Sequence, residues 1–403
     1  MKIKKKHIIG MIVLVIFLIS GLYLCFLMNN YKIQDKLTIS RAPNNISIPF
    51  RYSSDGHMLI DVKIDNSNKT YPFILDTGAS NYLFQSFPKE KIGKSIGRGI
   101  GMDPNGKIFF PKIFNIPFLD VSGIELKNIA FNKSPSEFPC TENIYGIIGK
   151  NIMRHFAWQL DFQDNKIYIA KESTLLPKQE EEGIQLKLKE NRFSHHLYIP
   201  IYLSDNTKAR LIVDTGMSGI LKLSTKEIAS LPFAKKINIL GEGSRGLGGK
   251  SNSKQYLVNL ENLHLGKKKT FLIPTITTKI SEKSSFRALG LGFLKKFVVT
   301  IDWTTSSITL YQKTKNLELT EKDFGVSFGF EEEIYIKSVI EGSKAHALGI
   351  TPNMKGFSIN NNPIKTVAQF CEFKSVKKQL DSLKLTFKDT NKEYILSREL
   401  YNY

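Results

Sequence analysis

Two tripeptides in the chain are identical, Asp76-Thr77-Gly78 and Asp214-Thr215-Gly216, and each is followed by a serine at the same offset, Ser80 and Ser218. A single Asp-Thr-Gly in 403 residues would carry no message, because aspartate at a strand end is a common turn former. Two copies in matching contexts point to paired-carboxylate chemistry. Carboxylates about 3 Å apart cannot both ionise, so they share one proton. The ionised partner takes a proton from a water held between them, the protonated partner polarises an amide carbonyl, and a proton then passes to the departing nitrogen. Such a site needs no metal, cofactor or covalent intermediate. In this reading Asp76 and Asp214 are catalytic and the hydroxyls of Thr77 and Thr215 brace the two loops. Gly78 and Gly216 permit tight turns, and Ser80 and Ser218 orient the carboxylates.

The elements that must position these residues repeat as well. Alternating strands over 59–64 and 71–75 flank the polar turn 65–69, and strands over 197–203 and 210–213 flank 204–208. Both hairpins run straight into the tripeptide. Further on, Arg98-Gly99-Ile100-Gly101 matches Arg245-Gly246-Leu247-Gly248, Ile147-Ile148-Gly149 matches Ala288-Leu289-Gly290, and Phe156 and Asp161 match Phe297 and Asp302. From Asp76 to Gly149 is 73 residues and from Asp214 to Gly290 is 76, so the halves differ only by loop lengths. This is an internal duplication, and a pseudo-twofold axis between the copies would bring one aspartate from each to the axis.

The doubled motif resembles the aspartic proteases of the retropepsin-like and pepsin-like group, over about residues 49–312. The family pattern is Asp-Thr-Gly followed by a later hydrophobic-hydrophobic-Gly that packs beneath the catalytic loop. The resemblance implies two β-barrel lobes, a catalytic dyad of Asp76 and Asp214 in one monomeric active site, and an extended peptide or protein as substrate. It also implies that the glycine-rich stretches 97–106 and 241–249, with Gly99, Gly101, Gly246 and Gly248, are mobile flaps. Neither stretch is a phosphate loop, since no Gly-Lys-Ser/Thr follows. Where pepsins carry Ser or Thr after the glycine, this chain has Ala79 and Met217. Fewer hydrogen bonds to the ionised carboxylate imply a milder pH optimum than pepsin's.

The last eighty residues change rhythm. Glu341-Gly342-Ser343-Lys344-Ala345, then Leu348-Gly349-Ile350, then Ile359-Asn360-Asn361-Asn362-Pro363-Ile364 and a helical stretch over 367–379 resemble a PDZ domain. That resemblance implies a small α+β fold whose groove captures an extended peptide by strand addition.

At the other end Lys2, Lys4, Lys5 and Lys6 precede an uncharged run over 8–28. At about 1.5 Å per residue the run is just long enough for a hydrocarbon core of about 30 Å. It lacks the small residues of a signal-peptide cleavage site. The expected organisation is a cytoplasmic segment 1–7, a single-pass transmembrane helix 8–28, a spacer 29–48, a first lobe 49–172, a linker 173–183, a second lobe 184–312, a linker 313–322 and a PDZ-like module 323–403. The basic N-terminus should stay in the cytoplasm with the catalytic part on the far side.

The expected fold is therefore mainly β, and the expected activity is that of a membrane-anchored aspartic endopeptidase. The alternatives are a non-catalytic, membrane-tethered peptide-binding protein and a hydrolase of a non-protein amide such as a wall peptide. The net charge of +20 invites nucleic acid as a partner, but the lysines are scattered and no basic helix or glycine-aromatic strand concentrates them. Asp161 and Asp302 are expected to be structural. His195-His196 is expected to be a half-exposed pair at a strand head, without a third metal ligand. Cys25, Cys140 and Cys371 are too few and too far apart for a zinc cluster, and Cys140 and Cys371 are expected as free thiols.

Overall fold

Runs rich in isoleucine, valine, leucine and phenylalanine make the chain mainly β, with 48% of residues in strands and 15% in helices. The computed structural model describes residues 5–400 except 35, 65–67, 137, 142, 181, 230–235, 244, 251–252, 267–269, 283, 285, 313–316, 318, 321 and 389–391. Lys2 and Lys4, the turn residues Asp65, Asn66 and Ser67, and part of the expected linker 313–322 thus lie outside the described residues.

The duplication is visible in the strand order. One sheet runs Arg51–Tyr52, Met58–Val62, Tyr71–Asp76, Gly146–Gly149, Tyr82–Leu83, Ile124–Lys133, Lys112–Val121, Ser95–Arg98. The second runs Lys189–Glu190, Leu197–Tyr202, Lys208–Asp214, Ala288–Gly290, Leu221–Ser224, Phe271–Ser281, Gln255–Leu265, Lys236–Gly241, which matches the first strand for strand. A third sheet of six strands joins the halves. Its central pair is Ala157–Asp161 against Phe297–Asp302, with Gln159 opposite Thr300, and each flank adds two strands. Both central strands are buried along their whole length. A single apolar core runs through both halves, whereas residues from Phe324 to Leu396 form a core of their own.

Four features depart from the expectations. First, the spacer 29–48 is built into the fold: Thr38–Arg41 pairs with Ile124–Lys133, and Asn45–Pro49 pairs with Lys166–Ala170. Its short alternating runs find free strand edges there. Second, Cys140 and Cys371 are not free thiols. They form a disulfide, because the Val367–Lys377 helix packs against the loop that carries Cys140. Third, the C-terminal module is not merely appended. Its hairpin, Val326–Phe330 with Ile334–Ile340, extends the second sheet by pairing with Lys236–Gly241, Ile239 opposite Ile340. The module also contains a four-stranded sheet, a short helix Lys344–Ala347, the pairing of Lys322–Asp323 with Glu399–Leu400, and the Val367–Lys377 helix, which begins with a capping box of Thr366 and Gln369.

Fourth, the N-terminal helix Lys5–Gln34 is longer than the uncharged run. Its apolar side chains stand away from the protein, Phe17 at 73% and Leu22 at 72% exposure. Its lower end docks: Ile33 is buried with Ile113 and Ala130, and Gln34 Oε1 accepts from Asn151 Nδ2 at 3.2 Å. Among the described residues no helix is long and apolar enough to cross a membrane. The described side chains of this one run unbroken only over 10–26, about 25 Å at ~1.5 Å per residue.

The disulfide closes a loop of 231 residues, so replacing Cys371 by Ala should cost about 2–4 kcal/mol in denaturant unfolding under non-reducing conditions. An unchanged unfolding midpoint, or free thiols at both cysteines by mass spectrometry, would contradict the bridge.

Candidate active site

The two Asp-Thr-Gly turns meet. Met58–Val62 delivers the chain into Tyr71–Asp76, and the parallel strand Gly146–Gly149 sets Gly149 opposite Asp76. In the second half Ala288–Gly290 sets Gly290 opposite Asp214. Backbone bonds then hold each loop onto its supporting strand: Lys150 N–H donates to Ala79 O at 2.9 Å and Leu291 N–H to Met217 O at 2.7 Å. Between the loops the threonines cross. Thr77 N–H donates to Thr215 Oγ1 and Thr215 N–H to Thr77 Oγ1, both at 3.0 Å. Each hydroxyl passes its own hydrogen to the opposite strand, Thr77 to Val213 O at 2.7 Å and Thr215 to Leu75 O at 3.0 Å. Both threonines are buried, so all four bonds are shielded from water.

The carboxylates are held in the same symmetric way. Asp76 Oδ1 accepts from Gly78 N and Ala79 N at 2.8 and 3.0 Å, and Asp214 Oδ1 accepts from Gly216 N and Met217 N at the same distances. The two carboxyl groups face each other across the turns, close enough for the charge of Asp76 to act on Asp214. Each also reaches the opposite loop so closely that a Cβ on Gly78 would lie 2.6 Å from Asp214 Cγ, and one on Gly216 would lie 2.1 Å from Asp76 Oδ2. Both glycines are therefore required by contact with the facing carboxylate. Burial first, then the charge of Asp76, raises Asp214 well above the ordinary carboxylate range.

The serines do not orient the carboxylates directly. Ser80 Oγ accepts from Lys150 Nζ at 3.4 Å, and Ser218 lines the cavity. Lys150 is buried, and burial lowers its ammonium to about 8 while the charges of Asp76 and Asp214 oppose that shift. Its counterpart in the second half is Leu291, so this cation breaks the symmetry of the pair.

Two histidines also reach the loops crosswise. His196 Nε2 donates to Gly78 O at 2.8 Å, and its Nδ1 lies 2.9 Å from the Ser194 hydroxyl, which can donate to it when the ring is neutral. Burial lowers its pKa to about 3. His57 lies beside Gly216 of the other turn, its pKa lowered chiefly by burial. His195 and His196 are both half-buried, and the contact of His196 with the Gly78 turn is what the expectation of a plain strand-head pair missed. Its neighbour His195 donates from Nδ1 to Glu190 Oε1 at 2.6 Å and faces Arg154. A signal was present in the sequence: His57 lies 19 residues before Asp76 and His196 lies 18 before Asp214, each just ahead of the first hairpin strand. Asp161 and Asp302 cap turns, accepting from Gln163 N at 3.0 Å and from Thr304 N at 2.9 Å.

Both glycine-rich stretches form short hairpins, Gly101–Met102 with Ile108–Phe109 and Arg245–Gly246 with Gly249–Lys250. Gly99 N–H closes the base of the first by donating to Pro111 O at 2.8 Å. The hairpins touch through Asp103, whose Oδ2 accepts from Gly248 N at 3.2 Å, and through Lys107 Nζ, which donates to Lys250 O at 2.8 Å. Gly101, Gly246 and both aspartates line one cavity of about 2120 Å³, which continues to the C-terminal module. Among the described residues no group of three or more His, Cys, Asp or Glu is placed to hold a metal ion.

Compared with known proteins, the chain matches no family model and no curated protein.

Replacing Thr215 by Val keeps the side-chain volume but leaves Thr77 N–H and Leu75 O without partners. This should cost about 2–4 kcal/mol in equilibrium unfolding. A loss below about 0.5 kcal/mol, the scale of an ordinary surface substitution, would show that the crossed bonds do not hold the loops.

Proposed function

We propose that the chain is an aspartic endopeptidase of two β-rich lobes related by a pseudo-twofold axis, with a PDZ-like module at its C-terminus. The observation that carries this reading is the pair Asp76 and Asp214, one from each half, each pressed against the other's glycine turn at the wall of a cavity roomy enough for an extended peptide. Asp214, raised by burial and by its neighbour, is the member that keeps its proton and polarises the scissile carbonyl. Asp76 acts as the base toward the attacking water. Lys150 lends positive charge to whichever carboxylate is ionised. The touching hairpins at Asp103 are the flaps, and their closure excludes water from the amide.

The Lys5–Gln34 helix serves as a single-pass anchor. With the flanking Ile8, Ile9, Leu27 and Met28 its apolar run reaches about 31 Å at ~1.5 Å per residue, and its exposed side chains suit lipid. Four lysines at the start favour a cytoplasmic N-terminus and an extracytoplasmic catalytic part. The Cys140–Cys371 disulfide fits an oxidising compartment of that kind.

Asp214→Asn separates hydrolysis from simple peptide binding. The full chain in detergent should cleave members of a randomised peptide mixture, and the variant should lose at least about a thousandfold in rate while still binding a statine-containing peptide. Failure of the unsubstituted protein to cleave any peptide would leave the tethered binding protein as the better reading. The same variant tests the electrostatics. A carboxyl whose folded pKa is raised binds its proton more tightly in the folded state, so its stabilising contribution is full below the unfolded value and is lost as pH rises through the folded one. Asp214→Asn should therefore unfold at higher denaturant than the parent at neutral pH and gain nothing in strong acid.

Lys150→Met removes a cation that favours ionisation. The acid limb of the pH–rate profile should move up by about one unit, with the limb unmoved if Lys150 serves only to fill space.

A further inference from the structure

Where the cavity reaches the C-terminal module, its wall is strongly basic. Lys374 and Lys377 of the Val367–Lys377 helix and Lys378 just beyond it line it, together with Lys337 of Ile334–Ile340 and Lys279 of Phe271–Ser281. The spacing of 374, 377 and 378 places three ammonium groups on one helix face. They are crowded. Burial lowers Lys374 to about 8, and Lys378 and Lys377 push it further in that direction. Lys377 is lowered by burial, with Asp323 opposing the shift and Lys279 and Arg398 adding to it, and Lys337 is lowered by burial with Lys279 adding to it. Nearby carboxylates are fewer: Asp55 pairs with Lys374, Asp323 acts on Lys377, and Glu242, which acts on Lys337, is already held by Lys250 at 3.0 Å. The wall therefore keeps a surplus of positive charge in a partly dehydrated setting, where an arriving anion gains most.

An extended backbone has a place beside that charge. Val326–Phe330 is the last strand of the ten-stranded sheet, hydrogen-bonded to Ile334–Ile340 on one side, and its Phe328, Gly329 and Phe330 line the same cavity. Val326 O already accepts from Lys377 Nζ at 3.4 Å, and a peptide added along the other edge from Ser327 onward satisfies its backbone there while its side chains meet the helix lysines.

We propose that the substrate is an acidic peptide: a segment carrying two or more Asp or Glu side chains lies against Lys337, Lys374, Lys377 and Lys378 on one side of the scissile bond. This rests on the hydrolase reading and adds the class of substrate to it. A polynucleotide is also anionic, but it brings no amide to the aspartate pair and no strand to the free edge.

The test uses the full chain in detergent and a pair of peptides cut at one bond, identical except that two flanking Glu in one are Gln in the other. The peptides are taken from products of a randomised mixture. Asp and Glu should be enriched at fixed positions on one side of the cut. The acidic member should have a kcat/KM about tenfold higher at low salt, falling to about twofold at ~0.5 M salt. Lys378→Gln and, separately, Lys337→Gln should each narrow the ratio, with unchanged unfolding midpoints confirming the fold. Equal rates for the two peptides, or a ratio indifferent to salt and to both variants, overturn the proposal and leave the hydrolase standing. Inhibition by single-stranded DNA with no preference among peptides also overturns it, assigning the wall to nucleic acid. No cleavage of any peptide overturns both readings together.

Discussion

The crossed bonds between Thr77 and Thr215 set the separation on which the rest of the molecule depends. Two carboxyl groups in a buried setting repel whenever both lose their protons, and nothing in either loop alone keeps them in contact. Each threonine's amide donates to the facing threonine's hydroxyl, and each hydroxyl donates to a carbonyl of the facing strand, so the loops cannot part without leaving buried polar groups unpaired. The six-stranded sheet performs the same task at larger scale, joining the halves through Ala157–Asp161 and Phe297–Asp302. The glycines follow from this closeness, because a facing carboxylate occupies the space of their missing Cβ atoms.

Symmetry ends where chemistry needs a difference. The hydrogen bonds to Asp76 and Asp214 are equal in number and nearly equal in length, so the backbone does not distinguish them. The distinction arises one layer out. Lys150 follows Gly149 in the first half where Leu291 follows Gly290 in the second, and this places a buried cation at the foot of one turn and not the other. Burial lowers both His57 and His196, with Asp76 opposing it at His57 and Lys150 adding to it at His196, so the two rings meet the glycine turns without adding charge.

Much of this was legible in the chain. The repeated Asp-Thr-Gly, the hairpin before it and the hydrophobic-hydrophobic-Gly after it are local patterns, and local patterns survive in sequence. Strand alternation identified Leu197–Tyr202 and Lys208–Asp214, and the turn between them is held by Asp205 Oδ1 accepting from Thr207 N at 2.8 Å. What escaped was long-range. The bridge from Cys140 to Cys371 depends on how a helix 231 residues away is docked, which no spacing rule contains. The pairing of Ile239 with Ile340 is a choice of sheet edge, and short strands such as Thr38–Arg41 take their structure from the edge they find rather than from their own residues. Lys150 was hidden for another reason: a lysine after a glycine looks like surface until the fold buries it.

The matched sheets end on matched strands, Ser95–Arg98 and Lys236–Gly241, and those ends are finished differently. Ile33 of the N-terminal helix lies over the first, near enough that a Cβ on Gly97 would be 3.0 Å from its Cδ1, while the second is consumed by the module's hairpin. An uncovered terminal strand is a template for runaway association between molecules. A duplicated β-protein has that hazard twice; here the N-terminal helix lies over one end, and the module's hairpin carries the other outward to Val326–Phe330. Trimming either terminus would therefore expose an adhesive border as well as remove an appendage.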